Sequence, residues 1–168
     1  MTPRVADEER VLTTTVPSPI GPLTLTAVDG VLTGLHMHEQ RHAPAASSGW
    51  VRDDAAFKDV VEQLDAYFAG ELRRFEVATA LRGTDFQRRV WAALVEIPYG
   101  ETISYGELAS RVGRPRAFRA VGLANGRNPV AVIVPCHRVI AGDGTLGGYG
   151  GGLERKTMLL DFERRNRA

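Results

Sequence analysis

The chain has 168 residues, 43% hydrophobic and 24% charged, with one cysteine and four histidines. That balance excludes intrinsic disorder over most of the length and fits one large globular unit or two small ones. No apolar run approaches the roughly 18 residues of a membrane span, and one cysteine excludes an internal disulfide.

The acidic, polar start Met1–Arg10 does not read as a signal peptide. A cytoplasmic, reducing environment with no bound metal and no membrane contact is the expectation. The net charge of +1 conceals an asymmetry. Residues 1–83 carry 8 Lys and Arg against 12 Asp and Glu, a balance of −4; residues 84–168 carry 13 against 8, a balance of +5. Only the C-terminal half is therefore expected to meet a polyanion. All basic residues but Lys58 and Lys156 are Arg. Arg is the better reader of phosphate and base edges, but genome composition can give the same bias, so it carries little weight.

Residues 1–10 read as a tail. Val11–Val16, rich in Thr and Val, reads as a strand, and Pro17–Pro22 as a turn. Leu23–Val28 alternates apolar residues with Thr. Asp29-Gly30 is a hairpin signal, and Val31–Met37 is the returning strand of a small antiparallel meander. Arg41–Gly49 is a loop. Asp53 or Asp54 caps a helix whose Phe57, Val61, Leu64, Tyr67 and Phe68 recur at helical spacing, and Gly70 ends it. Residues 71–83 read as extended chain and linker.

In the second half, Thr84-x-x-Gln87 is a capping box. It opens a helix with the stripe Phe86, Val90, Trp91, Leu94 and Val95, which Pro98-Tyr-Gly100 stops. Ser104-x-x-Glu107 is a second box, opening a short helix that ends at Gly113. Pro115 suits the first turn of the next helix, which runs to about Gly126. Two short helices joined by a Gly-containing turn make a helix-turn-helix pattern, although an ordinary αα-corner looks the same. The second of these helices is rich in small residues: Ala117, Ala120, Gly122, Ala124 and Gly126. Gly costs about 1 kcal/mol inside a helix, so close approach of another backbone is implied. The partner is another helix or a nucleic-acid strand. Arg111, Arg114, Arg116, Arg119 and Arg127 surround the segment, as phosphate contact or simply as a solvated face. The apolar run Val130–Val134 reads as a buried strand. A loop with seven glycines between Gly142 and Gly152 follows, and a final helix spans Leu153 to Arg165.

The only cysteine, Cys136, sits in Pro-Cys-His after that run. A lone Cys is most often a small core residue. Here Pro135 turns the chain just before it, and His137 is an imidazole able to activate a thiol. A third group must orient the histidine. Glu163 shares a helix face with Leu159 and Leu160, where a carboxylate needs a partner. His137 is one candidate and several Arg residues are others. Asn128, before Pro129, is placed to brace the turn around the cysteine. A Cys-His-carboxylate set alone would also suit a cysteine peptidase or acyltransferase, but no peptidase signature is present.

These residues carry a family resemblance. The chain resembles the O6-alkylguanine-DNA alkyltransferases, or methylated-DNA–protein-cysteine methyltransferases, most densely from Thr84 to Glu163. The matching motifs are Phe86-Gln-x-x-Val-Trp91, Ile97-Pro-Tyr-Gly-Glu-Thr102, Ser104-Tyr105-Gly-Glu-Leu108, Arg119-Ala-Val-Gly122, Asn128-Pro129, Pro135-Cys-His-Arg-Val139 and Gly148-Tyr-Gly-Gly-Gly-Leu153. The resemblance implies that Cys136 takes the alkyl group from guanine O6 in double-stranded DNA, once per molecule and without a cofactor. O4-alkylthymine is a further candidate substrate.

It further implies that His137 acts through a water as base, that Glu163 holds the imidazole and that Asn128 supports the turn. Tyr105 would assist the leaving guanine. Arg119 would fill the stack when the base is flipped out. Arg119, Ala120, Gly122, Ala124, Asn125, Gly126, Arg127 and Arg138 would face DNA, with the small-residue helix in the minor groove. Val139, Tyr149 and Gly150 would line the pocket. Gly150 stands where some relatives have Ser. Metal-ligand cysteines found near the N-terminus of some relatives are missing, and His36-x-His38 has no third ligand nearby and reads as strand or turn.

The expected fold is α/β in the α+β sense. An N-terminal α/β domain (1–78, with 1–10 a tail) carries a small antiparallel sheet and a helix. A linker (79–83) leads to a mainly helical DNA-binding and alkyl-transfer domain (84–168) with the helix-turn-helix and the cysteine. A monomer is expected, nucleoid-associated when bound, with cooperative assembly on DNA left open. The acidic N-terminal half is expected to be a scaffold rather than a DNA contact. Two other functions stay open at this point: a lesion sensor that binds without transfer, and a sequence-specific helix-turn-helix regulator.

Overall fold

A computed structural model describes residues 10–167, so the expected tail, but for Arg10, lies outside the described residues. The meander forms as read. β1 (Leu12–Val16), β2 (Leu23–Val28) and β3 (Val31–Met37) pair antiparallel, with Leu12 opposite Ala27 and Leu23 opposite Met37. Asp29 (φ 51°) and Gly30 (φ 78°) supply the two left-handed residues of a tight hairpin turn. A fourth strand, β4 (Val51–Arg52), runs parallel to β1 and makes the sheet mixed, in the order β3-β2-β1-β4. Two residues carry too little periodicity for sequence reading to detect. Asp53 accepts the Ala56 N–H and opens a 3-10 turn that passes into α1 (Lys58–Phe68), with Phe57, Leu64 and Tyr67 facing inward.

The outer edge of β3 is covered, which suppresses unwanted pairing. Leu32 bonds to the backbone of Ala78 and Ala80, at 3.1 and 2.9 Å, and Leu35 to Pro129 and Ala131, at 2.9 and 3.2 Å. The segment read as a linker and the segment before the cysteine therefore dock side by side on one strand. A single apolar cluster runs from Leu25 and Leu35 through Trp91 and Leu94 to Leu108 and Val139. Its continuity ties the sheet to the helices that carry the site.

α2 (Asp85–Val95) begins with the complete capping box: Thr84 Oγ1 accepts the Gln87 N–H at 3.1 Å, and Gln87 Oε1 accepts the Thr84 N–H at 3.0 Å. β5 (Ile103–Ser104) leads to α3 (Tyr105–Arg111). Here only half of the expected box forms. Ser104 accepts the Glu107 N–H at 3.0 Å, but the Glu107 carboxylate turns to Arg111 at 2.9 Å. α4 (Phe118–Gly126) starts later than Pro115 suggested, because Ala117 holds a non-helical φ of −92° and ψ of 40°. The expected helix pair is present, and the Trp91 indole N–H locks its second member by donating to Ala124 O at 2.8 Å.

Val130–Val134 is not a strand. It is a buried turn: Val134 N–H bonds back to Val130 O at 3.0 Å, and Val132 sits at φ 69°. The run is apolar because the turn is buried, and proline at either end keeps it from extending. A β-branched residue in the left-handed region stores strain, here four residues before the cysteine. A 3-10 turn over Cys136–Arg138 follows. Then come β6 (Val139–Ile140), parallel to β5, the glycine loop, and α5 (Leu153–Arg165).

Trp91→Phe removes a buried N–H donor and leaves the Ala124 carbonyl with only the Arg127 N–H, at 3.1 Å. Urea unfolding is expected to show a loss of about 2 kcal/mol. A midpoint unchanged from wild type would contradict the locking role.

Candidate active site

Pro135 ends the buried turn and presents Cys136, whose N–H bonds to Val134 O at 2.8 Å. Asn128 holds this corner from inside: its amide donates to Val134 O at 2.7 Å and its carbonyl accepts the Val130 N–H at 3.0 Å. Cys136 is only 6% exposed, but it is not sealed in the core. It lies on the wall of a cavity of about 320 Å³ together with Tyr105, Asn125, Asn128 and Tyr149. Burial pushes the Cys136 thiol pKa up. The Asn128 amide, the Lys156 charge, its own backbone and the Tyr149 hydroxyl act in the opposite direction.

Behind the cysteine lies a buried polar hub. Glu163 of α5 is fully buried. Its Oε2 accepts from the Tyr67 hydroxyl at 2.6 Å and Arg138 Nη2 at 3.0 Å, and lies 2.7 Å from His137 Nε2. Its Oε1 accepts from Arg138 Nε at 2.8 Å and from the Gly100 N–H at 3.3 Å. Burial alone would raise the carboxyl pKa, but the hydrogen bonds and charges of His137 and Arg138 hold it well below the usual carboxylate range. His137 is pulled down by burial, with Glu163 opposing. Its Nδ1 bonds to no protein group. Among the described residues no direct hydrogen bond joins the imidazole to the sulfur.

Both partners that the sequence left open for Glu163 are thus engaged. This corrects the placement of Arg138, expected on the DNA-facing surface. It is buried as the counter-ion of Glu163, donates to Ile97 O at 2.7 Å and stacks 5.6 Å above Tyr99. Tyr67, read only as a core residue of α1, brings the N-terminal half into the hub. Lys156 was also missed. Its ammonium is buried and donates to the carbonyls of Val139 (2.6 Å), Gly148 (3.2 Å) and Leu146. Burial brings its pKa down to about 8, with the Cys136 charge opposing. It precedes Leu159, Leu160 and Glu163 by three, four and seven residues. That spacing puts it on the buried stripe of α5 and was a readable signal.

The Tyr105 ring packs over Gly122 and Gly147, and its hydroxyl lies 3.4 Å from Gly148 O at the cavity wall. Burial raises its pKa. On α4, Arg119, Ala120 and Arg127 are exposed and Gly122 and Gly126 half-buried. Ala124 and Asn125, expected to face DNA, are turned inward instead. With Val121 they occupy the i, i+3, i+4 face of α4. Ala124 lies against Trp91, and the Asn125 amide donates to Cys136 O at 3.3 Å. Tyr149 and Gly150 line the cavity; Val139, expected there too, lies behind its wall in β6. Two large apolar side chains, Phe118 (55% exposed) and Leu123 (73%), break the small-residue pattern of α4. Among the described residues no three His, Cys, Asp or Glu side chains gather to hold a metal ion, and no helix is long and apolar enough to cross a membrane.

Fold and site together define a protein that offers one cysteine thiol, backed by a His–Glu pair, to a ligand entering a cavity beside a helix-turn-helix. Family models described as "6-O-methylguanine DNA methyltransferase, ribonuclease-like domain" and "6-O-methylguanine DNA methyltransferase, DNA binding domain" match residues 11–81 and 85–165. The chain belongs to the 6-O-methylguanine DNA methyltransferase family. It is 60% identical over 150 residues to a Mycobacterium tuberculosis (strain H37Rv) methylated-DNA–protein-cysteine methyltransferase, covering 89% of this chain and 90% of that protein. A namesake from Methanosarcina barkeri is 48% identical over 151 residues, covering 90% and 96%. The crystal structure of Mycobacterium tuberculosis OGT in complex with DNA superposes with a TM-score of 0.89 at 58% identity, covering 92% of this chain and 94% of that one.

The Glu163 pKa lies below that of an unfolded glutamate, about 4.3. Its stabilisation is therefore complete above that pH and is lost as pH falls from there toward the lower folded-state value. Glu163→Gln leaves Arg138 buried without its counter-charge and is expected to cost about 3–5 kcal/mol at neutral pH. In urea titrations the gap from wild type should shrink below about pH 4. A gap constant from pH 7 to pH 3 would show that the carboxylate charge is not what stabilises the hub.

Proposed function

We propose that this chain repairs O6-alkylated guanine in double-stranded DNA by moving the alkyl group irreversibly to Cys136. The observation that carries the reading is the cysteine itself, set on the wall of a base-sized cavity with a His–Glu pair behind it and a basic helix pair beside it. The DNA-bound relative of the same fold supports DNA as the partner. In this reading residues 84–168 carry out the chemistry, and residues 1–78 brace it through Tyr67.

The step balances simply. The Cys136 proton passes through a water to His137 Nδ1, the ring nitrogen that no protein group occupies. The resulting imidazolium is stabilised by Glu163 2.7 Å from its other nitrogen. The thiolate attacks the alkyl carbon in line; a carbon–sulfur bond forms and the carbon–oxygen bond to guanine breaks. Tyr105 donates a hydrogen bond to the departing ring, and the proton held by His137 returns through water to the guanine anion, so the products are the thioether, neutral guanine and a neutral imidazole. The thioether has no ready leaving group, so each molecule acts once. The same exocyclic oxygen chemistry extends to O4-alkylthymine, a smaller ring.

A base within the duplex is out of reach, so the nucleotide must be extruded at a cost of a few kcal/mol. Exposed Arg119, on α4, is positioned to fill the vacated stack. α4 lies along the minor groove, where Ala120, Gly122 and Gly126 permit close approach. Its Phe118 and Leu123 flank Arg119 as apolar contacts to neighbouring base steps.

Intact mass after incubation with O6-methylguanine duplex should show one added methyl group, mapped to Cys136 and missing in Cys136→Ser. Tight lesion binding without a mass gain would establish a sensor instead. Sequence-specific binding indifferent to alkylation would establish a regulator. Arg119→Ala should slow transfer from duplex by about tenfold or more, as expected for losing part of the extrusion energy, with a smaller loss on free O6-benzylguanine. Equal losses on the two substrates would refute the stacking role.

A further inference from the structure

The N-terminal half is acidic and reads as a scaffold, yet its loop after β3 forms part of the reactive cavity. Gln40, Arg41 and His42 line the same space as Cys136, Tyr105 and Tyr149. We propose that Arg41 is a phosphate clamp of the lesion site, a DNA-backbone contact supplied by the N-terminal half. This rests on the alkyl-transfer reading above and adds a binding residue to it.

The loop is held in one shape. The Met37 N–H donates to Gln40 Oε1 at 2.9 Å, and the Gln40 N–H to Met37 O at 3.2 Å. The Arg155 guanidinium of α5 donates to His38 O at 2.5 Å. The Arg41 N–H donates to Gly150 O at 2.8 Å, which fastens the loop to the active-site glycines. Glu39 (φ 57°) and His42 (φ 62°) both occupy the left-handed region, so the backbone is bent at some cost on either side of Arg41. A loop pinned this firmly positions its side chains rather than letting them wander.

The Arg41 side chain, by contrast, is unengaged. It is exposed, and among the described residues its guanidinium makes no hydrogen bond or ion pair. The nearest acid in sequence, Glu39, lies 3.8 Å from His38 instead. Across the rim stands Arg127, also exposed and on the same cavity. Gly150 joins the two: a Cβ there would sit 3.5 Å from Arg41 O and 3.8 Å from Gly126 O. The loop and the end of α4 thus meet at one glycine and leave two guanidinium groups on the cavity mouth. A base held in the cavity must leave its flanking phosphates at that mouth. Guanidinium is the side chain best matched to phosphate, through two parallel hydrogen bonds.

The test measures the affinity of O6-methylguanine duplex in a Cys136→Ser background, so that transfer does not intervene, across a series of salt concentrations. Arg41→Ala should weaken binding about threefold or more at low salt and lower the slope of log K against log salt by about one, the loss of one phosphate contact. Arg41→Glu should weaken it further, and Arg41→Lys should restore most of the slope. An unchanged affinity, or a weaker one with the wild-type slope, overturns the clamp. Whether wild type gains a methyl group decides the alkyl-transfer reading separately. Loss of that reading with the Arg41 slope change intact would leave a DNA contact without the chemistry. Methyl transfer with no slope change would leave the chemistry without the clamp.

Discussion

One buried carboxylate organises this molecule. Glu163 gathers hydrogen bonds from α1 through Tyr67, from the turn after α2 through Gly100, and from the turn of the reactive cysteine through His137 and Arg138. Three segments distant in sequence converge on two oxygen atoms of a fourth. A charge taken so far from water is tolerated only because each lone-pair direction is met and a full counter-charge sits beside it. The hub therefore favours one arrangement of α5 against the sheet and helices. It also sets the imidazole: Nε2 is committed to Glu163, and Nδ1 bonds to no protein group.

The reactive thiol sits at a compromise. Burial disfavours the thiolate, but burial also strengthens the dipoles aimed at the sulfur. Asn128, Tyr149 and Lys156 lower the cost of ionisation without direct participation of the histidine. Lys156 does this while holding the carbonyls of Val139 and Gly148, so it couples the charge at the cysteine to the shape of the glycine loop. The acidic half of the chain contributes as well. Tyr67 reaches the hub, and the loop around Arg41 borders the cavity, so the charge division between halves does not separate the residues that build the site.

The sequence was most legible where a local rule acts alone. The hairpin at Asp29-Gly30, the capping box at Thr84 and the ends of α5 needed only turn chemistry and periodicity. Reading failed where distant groups compete for the same atoms. Val130–Val134 looked like a strand because apolar residues mark burial and not conformation. Glu107 left its capping role for Arg111. The family resemblance put Ala124 and Asn125 on the DNA side, although their spacing from Val121 already puts them on the buried face of α4.

By itself the sequence determined the family resemblance and the order of most elements, because one cysteine between Pro and His, with Asn-Pro before it and glycines after it, is a pattern that few other arrangements share. Only the tertiary structure decided that Arg138 is a buried counter-ion, that Lys156 and Tyr67 belong to the site and that Arg41 borders its mouth. Those roles depend on which charges lose their water and which partners lie within about 3 Å, and such distances arise only when segments separated by tens of residues come together.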